Sequence, residues 1–313
     1  MDDQLLTYRE GNAKAPLREE IWLLGQPPLQ EYLDFIQDRA IAPSDPRVLW
    51  DEWRRANDYY HELEIAEAGA AEEAECRDLD AAMAGLAEQL MANDRFRHAY
   101  DTLPTTVEMV ELDRLIVYQP HVTRQFVDAL QSRLGPRPTP EALFHFCLPV
   151  AKPQADVRIQ RAGSRRFLFS SESTDFRFRE AVVLKPEQIE GVADLGAASD
   201  ILGLIIGFGS NFLNVVRCDN RFVLHNGYHR ACALRALGIK YAPCLIQTVT
   251  RRDELAIAAS ETVFDQAAFY FKAARPPLLK DFFDPKIRKV VPVKPARQVV
   301  EVSFEVREFR LEE

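Results

Sequence analysis

The sequence predicts an α+β protein: a helical N-terminal region followed by a mixed β-sheet core with additional strands. Three observations carry this. Residues 50–100 contain no proline and only two glycines, and Ala, Glu and Leu dominate them, as in good helix formers. Beyond Pro104, short β-branched and aromatic runs alternate with Pro- and Gly-containing turns. Residues 212–249 then read as strand, turn, strand, tight loop, helix and strand.

Composition sets the frame. The chain has 313 residues, 48 acidic and 39 basic, for a net charge of −9. That is ordinary globular composition, and it excludes a protein that coats nucleic acid by bulk charge. No apolar run reaches the ~18 residues of a membrane-spanning helix. The acidic start, Met1-Asp2-Asp3, is no secretory leader, and the five scattered cysteines form no disulfide framework. A cytoplasmic location is the expectation. The charge is uneven: residues 1–100 carry 22 acidic and 10 basic side chains, a net of −12, and the remainder is +3. An anionic ligand therefore belongs with the second part, and a protein partner could meet the acidic first part.

The elements follow in order. In the region 1–110, Leu79, Met83, Leu86 and Leu90 recur at helical spacing and form one apolar face. Trp50, Trp53 and Tyr60 give a similar face upstream. The region 111–180 is expected to be a strand-rich connection. Leu115–Tyr118 is a β-type run ended by Pro120. Thr123 caps a helix over 124–134, and Gly135-Pro136 stops it. The Pro-rich stretch 135–140 is a candidate boundary. Val157–Gln160 and Arg166–Phe169 flank a turn and predict a hairpin carrying Arg158, Arg161, Arg165 and Arg166, a solvated face more than a nucleic-acid surface. In 181–250, Ala181–Leu184 is a strand, Ile201–Ile206 a buried strand or helix end, and Gly207–Asn211 a loop. Phe212–Val216 and Arg221–His225 are strands, 229–237 is a helix stopped by Gly238, and Pro243–Val249 is the closing strand. In 251–313 a helix over Val263–Lys272 and a half-buried strand at Val300–Val306 are expected to pack on the core. Lys286–Arg297 between them reads as a surface connection.

The chemistry concentrates at Asn226-Gly227-Tyr228-His229-Arg230. A strand turns at glycine and delivers a helix N-terminus. The first-turn N–H groups and the positive end of the helix dipole then face the opening, which suits phosphate or another anion.

This segment, with the strand before it and Ala-Leu-x-x-Leu-Gly behind it, resembles the signature loop of the ParB/sulfiredoxin-like superfamily. Leu184-Lys185-Pro186-Glu187 resembles the superfamily's early strand-then-Pro element. Gly207–Val216 resembles its glycine loop and next strand, and Pro243–Ile246 its closing strand. The resemblance implies a core over about 181–249 that holds a nucleotide (ATP, ADP or CTP, with Mg²⁺) or a phosphorylated small molecule. It implies either phosphotransferase or hydrolase activity, or a non-catalytic nucleotide-sensing or DNA-associated regulator.

Asn226, Gly227, Tyr228, His229, Arg230, Ser210 and Asn211 are the expected ligand-binding residues. Glu187, Glu190 and His229 are the expected acid–base groups. Tyr228 stands where sulfiredoxins carry their catalytic Cys, so that reductase chemistry lacks its nucleophile. Asn226 stands where the superfamily's amino-acid kinases carry Asp, and an amide is no carboxylate base. No metal site is expected: His225, His229 and the nearby cysteines have no standard ligand spacing.

Overall fold

The computed structural model describes residues 18–26, 28–149, 156–173, 176–189, 199–208, 211–294 and 296–310. They form an α+β protein whose strands lie in several sheets. Two units emerge: 18–149 with 211–294, and 156–208 with 296–310.

The first unit begins with β1 (Arg18–Leu23), α1 (Leu29–Arg39) and α2 (Pro46–Ala66). The Asp45 side chain accepts from the Arg47 N–H at 2.8 Å and Pro46 opens α2, which fixes its start. Trp22, Tyr32, Ile36 and Tyr60 pack together between these elements. Then come β2 (Cys76–Arg77), α3 (Ala81–Ala92), α4 (Asp94–Tyr100) and β3 (Thr105–Glu111). The expected apolar face holds: Met83 and Leu90 are buried, and Leu79 and Leu86 pack against them. Trp50 is exposed while Tyr60 is buried. Next are β4 (His121–Thr123), α5 (Arg124–Leu134) and α6 (Pro140–Cys147).

The chain then enters the second unit with β5 (Arg158–Gly163), β6 (Arg166–Ser171), β7 (Phe176–Leu184) and β8 (Ile201–Phe208). It returns to the first with β9 (Asn214–Cys218), β10 (Arg221–Asn226), α7 (Tyr228–Ala236) and β11 (Tyr241–Thr248). There follow α8 (Arg252–Ala258), α9 (Glu261–Asp265), α10 (Ala267–Lys272) and β12 (Arg288–Val293). The last strand, β13 (Gln298–Ser303), belongs to the second unit.

In the first unit the main sheet has the order β10-β9-β11-β3-β2, with β9 and β11 parallel. Leu115, Ile116 and Val117 are fully buried. Ile116 exchanges backbone hydrogen bonds with Phe222 and Leu224, so this run lies along β10. A smaller antiparallel sheet has the order β12-β1-β4. The largest core joins the main sheet to α3, α5, α6 and α7. In the second unit β6 pairs with β5 and β13, and β7 pairs with β8.

Several expectations change. The predicted 181–250 core is divided, because β7 and β8 pair with each other while β9 and β11 pair within the first unit's sheet. The predicted 111–180 connection is divided too: β4, α5 and α6 belong to the first unit, and residues 135–139 merely join two of its helices. Ile201–Phe208 is a strand, but Leu202 is 71% exposed: among the described residues its sheet partner is β7, which covers an edge and not a face. Lys286–Arg297 contains β12, whose register on β1 buries Val291 and Val293. The predicted 263–272 helix breaks into α9 and α10 at Gln266. The 157–169 hairpin is as expected, but the C-terminal strand, Gln298–Ser303, pairs with it in the second unit instead of packing on the core.

Candidate functional site

The β10–α7 corner is the strand–glycine–helix turn the sequence predicts. Gly227 has φ +96°, and a Cβ there would lie 2.8 Å from Leu213 Cδ1 and 3.1 Å from Leu213 Cα. Both the left-handed backbone and the close approach require glycine. The Asn226 side chain closes the corner by accepting from the Gly227 N–H at 2.8 Å. The first bond inside the helix runs from Ala231 N–H to the Gly227 carbonyl. The first-turn N–H groups before it are those a helix N-terminus leaves without an acceptor in the helix itself.

The side chains of this turn do structural work. Tyr228 is buried, and its hydroxyl donates to the Leu224 carbonyl at 2.7 Å. The same oxygen accepts from the N–H groups of Tyr118 and Gln119 at 3.1 and 3.3 Å. Tyr228 thus ties residues 118–119 to the corner, and burial pushes its phenol well above the usual range. Arg230 is buried and donates to the Asn211 carbonyl, anchoring the segment that leads into β9. His229 Nε2 lies 3.0 Å from the Thr123 N–H. A backbone N–H can only donate, so Nε2 is the acceptor and the ring proton sits on Nδ1. Burial pushes this imidazole down to about 4 against the pull of Glu20. At neutral pH His229 brings a dipole to the corner, not a charge.

Residues 118–123 therefore run across the start of α7, pinned by Tyr228 at one end and His229 at the other. Their strand, β4, pairs with β1 so that Glu20 lies opposite Thr123 and Trp22 opposite His121. Side chains two apart on a strand share a face, so Glu20 meets both partners. His121 Nδ1 is 3.1 Å from Glu20 Oε2, and Thr123 Oγ1 donates to Glu20 Oε1 at 3.0 Å. Trp22 stacks on the His121 ring at 4.9 Å and 10°. Burial pushes the Glu20 carboxyl up, but the bond and charge of His121 outweigh it and hold the group below the usual carboxylate range.

The other predicted site residues lie apart from this corner in the chain. Glu187 is exposed in a 3-10 turn of the second unit. Glu190 and Ser210 lie outside the described residues. Asn211 contributes its carbonyl, as the acceptor for Arg230. Glu20, which reaches the loop's neighbours Thr123 and His121 within the first unit, has no signal in the sequence.

Two cavities of about 380 and 210 Å³ lie elsewhere in the first unit. The larger is lined by charged groups including Glu73, Glu111, Asp113, Arg114 and Lys280, and the smaller lies between β1, α5, α7 and β12. Residues 226–230 line neither. Among the described residues no three His, Cys, Asp or Glu side chains gather as a metal site. No described helix is long and apolar enough to cross a membrane. Comparison of the chain with protein-family models, curated proteins and solved structures found no match.

Proposed function

We propose that the chain binds a nucleotide or another phosphorylated small molecule at the N-terminus of α7. The observation that carries this reading is the Gly227 corner, where a left-handed glycine delivers the N-terminus of α7, whose first bond inside the helix is made by Ala231. The resemblance of Asn226–Arg230 to the ParB/sulfiredoxin-like loop supports it. Of the segments that carry the resemblance, 212–249 lie in the first unit and 184–187 in the second.

ATP, ADP or CTP is the ligand class. Mg²⁺ travels on its phosphates, because the Asn226 side-chain oxygen already accepts from Gly227 and Glu20 already holds His121 and Thr123. The mild positive charge outside residues 1–100 favours such an anion. Nothing favours a DNA surface on the β5–β6 hairpin: Arg166 pairs with Glu301, and Arg161 turns back to the Gly163 carbonyl.

The test is titration with ATP, ADP, CTP and GTP, with and without Mg²⁺, followed by calorimetry and by amide NMR shifts. The expected result is binding by at least one nucleotide, with the largest shifts at the amides of Gly227–Arg230. No binding, or shifts confined to other residues, would overturn the site.

A further inference from the structure

The smaller cavity, about 210 Å³, has an apolar floor and a charged mouth. Arg124, Val127, Asp128 and Gln131 stand at helical spacing along α5 and form one wall. Cys232 and Ala236, one turn apart on α7, form another, and their short side chains leave the space between the two helices unfilled. The smaller sheet closes a third side. Ile21 lies opposite Val290 and Leu23 opposite Arg288 in the β1–β12 register, so Ile21, Val290 and Arg288 share a face. Val127, Cys232 and Phe282 are buried and make the floor, while Arg124, Asp128 and Ala236 are exposed at the mouth. Phe283 completes the lining, and the Arg235 guanidinium lies over its ring at 4.1 Å.

The charges of this lining are unbalanced. Arg124 pairs with Glu19 at 3.3 Å and with Asp128 at 3.9 Å. Arg288 donates from Nη1 to the Phe282 carbonyl at 3.1 Å and meets no carboxylate among the described residues. Glu19 is out of its reach: four positions along β1 separate it from Leu23, the partner of Arg288, roughly 13 Å at ~3.3 Å per residue. The lining therefore sets two cations, Arg124 and Arg288, against the one carboxylate of Asp128, a net charge of +1. Nε and Nη2 of Arg288 remain as a fork of the shape that takes a carboxylate. An apolar cavity of about 150 Å³ holds a benzene ring, so this one has room for a ring with a small polar group. Phe282, Phe283 and the Cys232 thiol favour an aromatic ring over an alkyl chain. We propose that the pocket binds a small aromatic monocarboxylate, its ring on the Val127–Cys232–Phe282 floor and its carboxylate on Arg288. The site stands apart from the α7 N-terminus, since Ala236 is the last residue of α7, and it does not rest on the nucleotide reading.

The test titrates benzoate into the full chain, followed by calorimetry and by methyl and amide NMR, with benzyl alcohol and benzylamine as the neutral and cationic counterparts. Benzoate is expected to bind saturably, with the largest methyl shifts at Ile21, Val127 and Val290. Benzyl alcohol is expected to bind more weakly, and benzylamine more weakly still. Arg288→Met keeps an unbranched stem and removes the fork. It is expected to weaken benzoate at least about tenfold, the effect of one lost charged contact, and to change benzyl alcohol by less than about twofold. Ala236→Leu extends a side chain into the space and is expected to abolish binding of benzoate and benzyl alcohol alike. Should Arg288→Met fail to fold, Arg288→Gln, which can still donate to the Phe282 carbonyl, serves in its place. No saturable benzoate binding, shifts confined to residues outside the pocket, benzylamine binding as tight as benzoate, or wild-type affinity in the Arg288 variant overturns the proposal. Each of these results leaves the nucleotide reading of the α7 N-terminus untouched, and failure of that reading leaves the pocket standing.

Discussion

Replacing Tyr228 by Phe removes one oxygen that serves three backbone groups. The hydroxyl donates to the Leu224 carbonyl and accepts from the N–H groups of Tyr118 and Gln119, the full capacity of a phenol. The site is buried, so water does not readily replace the oxygen. Each hydrogen bond contributes about 1 kcal/mol net, and a buried group left unpaired costs about 1–3 kcal/mol. Three such groups make a loss of roughly 3–6 kcal/mol, a large part of the ~5–15 kcal/mol that holds a typical domain folded. Urea unfolding followed by tryptophan fluorescence reads it directly, since Trp22, Trp50 and Trp53 all lie in the first unit. Hydrogen exchange at the amides of Tyr118 and Gln119 is the local readout and should accelerate. A loss below about 1 kcal/mol, with those amides as protected as before, would refute the role of Tyr228 as the strap between loop and corner.

Other outcomes follow from the same contacts. Gly227→Ala places a Cβ against Leu213 in a left-handed conformation and is expected to destabilise by about 2–4 kcal/mol in urea melts. Asp281→Asn breaks a buried pair in which Arg275 donates two bonds of 2.6 Å to the carboxylate; a loss of about 3–5 kcal/mol is expected, visible as a lower unfolding midpoint. His229 is held neutral in the fold, down to about 4 from an ordinary 6.5. The unfolded chain therefore takes up its proton first as pH falls, and stability is lost between about pH 6.5 and 4, by up to ~3 kcal/mol. His229→Gln, which retains an acceptor for Thr123, should flatten the dependence of Tm on pH in that window.

Much of the local structure was legible in the sequence because it depends on neighbours along the chain. Thr123 and Gly135 bound α5 as read, although Thr123 Oγ1 bonds to Glu20 instead of capping its own helix. The β10–Gly227–α7 corner was legible for the same reason: a glycine between a short apolar run and an Ala-rich helix leaves the backbone few alternatives. The apolar run Ile201–Ile206 misled because hydrophobicity reports a tendency to be covered, and β8 pairs with β7 alone. The basic stretch at 286–297 misled in the opposite sense. Lys289 reaches Glu52, Arg288 reaches the Phe282 carbonyl, and Val291 and Val293 after them turn into the core.

The sequence by itself determined the α+β class and the strand–glycine–helix turn around residues 226–230. The tertiary structure alone decided what surrounds it. Strand pairing joins β3 to β11 across more than a hundred residues and sets 156–208 apart, and no local pattern encodes such a register. It brought a carboxylate the sequence did not mark, Glu20, to Thr123 and His121, because β1 pairs with β4 and places Glu20 opposite Thr123. It also changed the predicted roles of the loop's own side chains. Once Tyr228, His229 and Arg230 are hydrogen-bonded to backbone groups, their side chains are taken up in holding the corner.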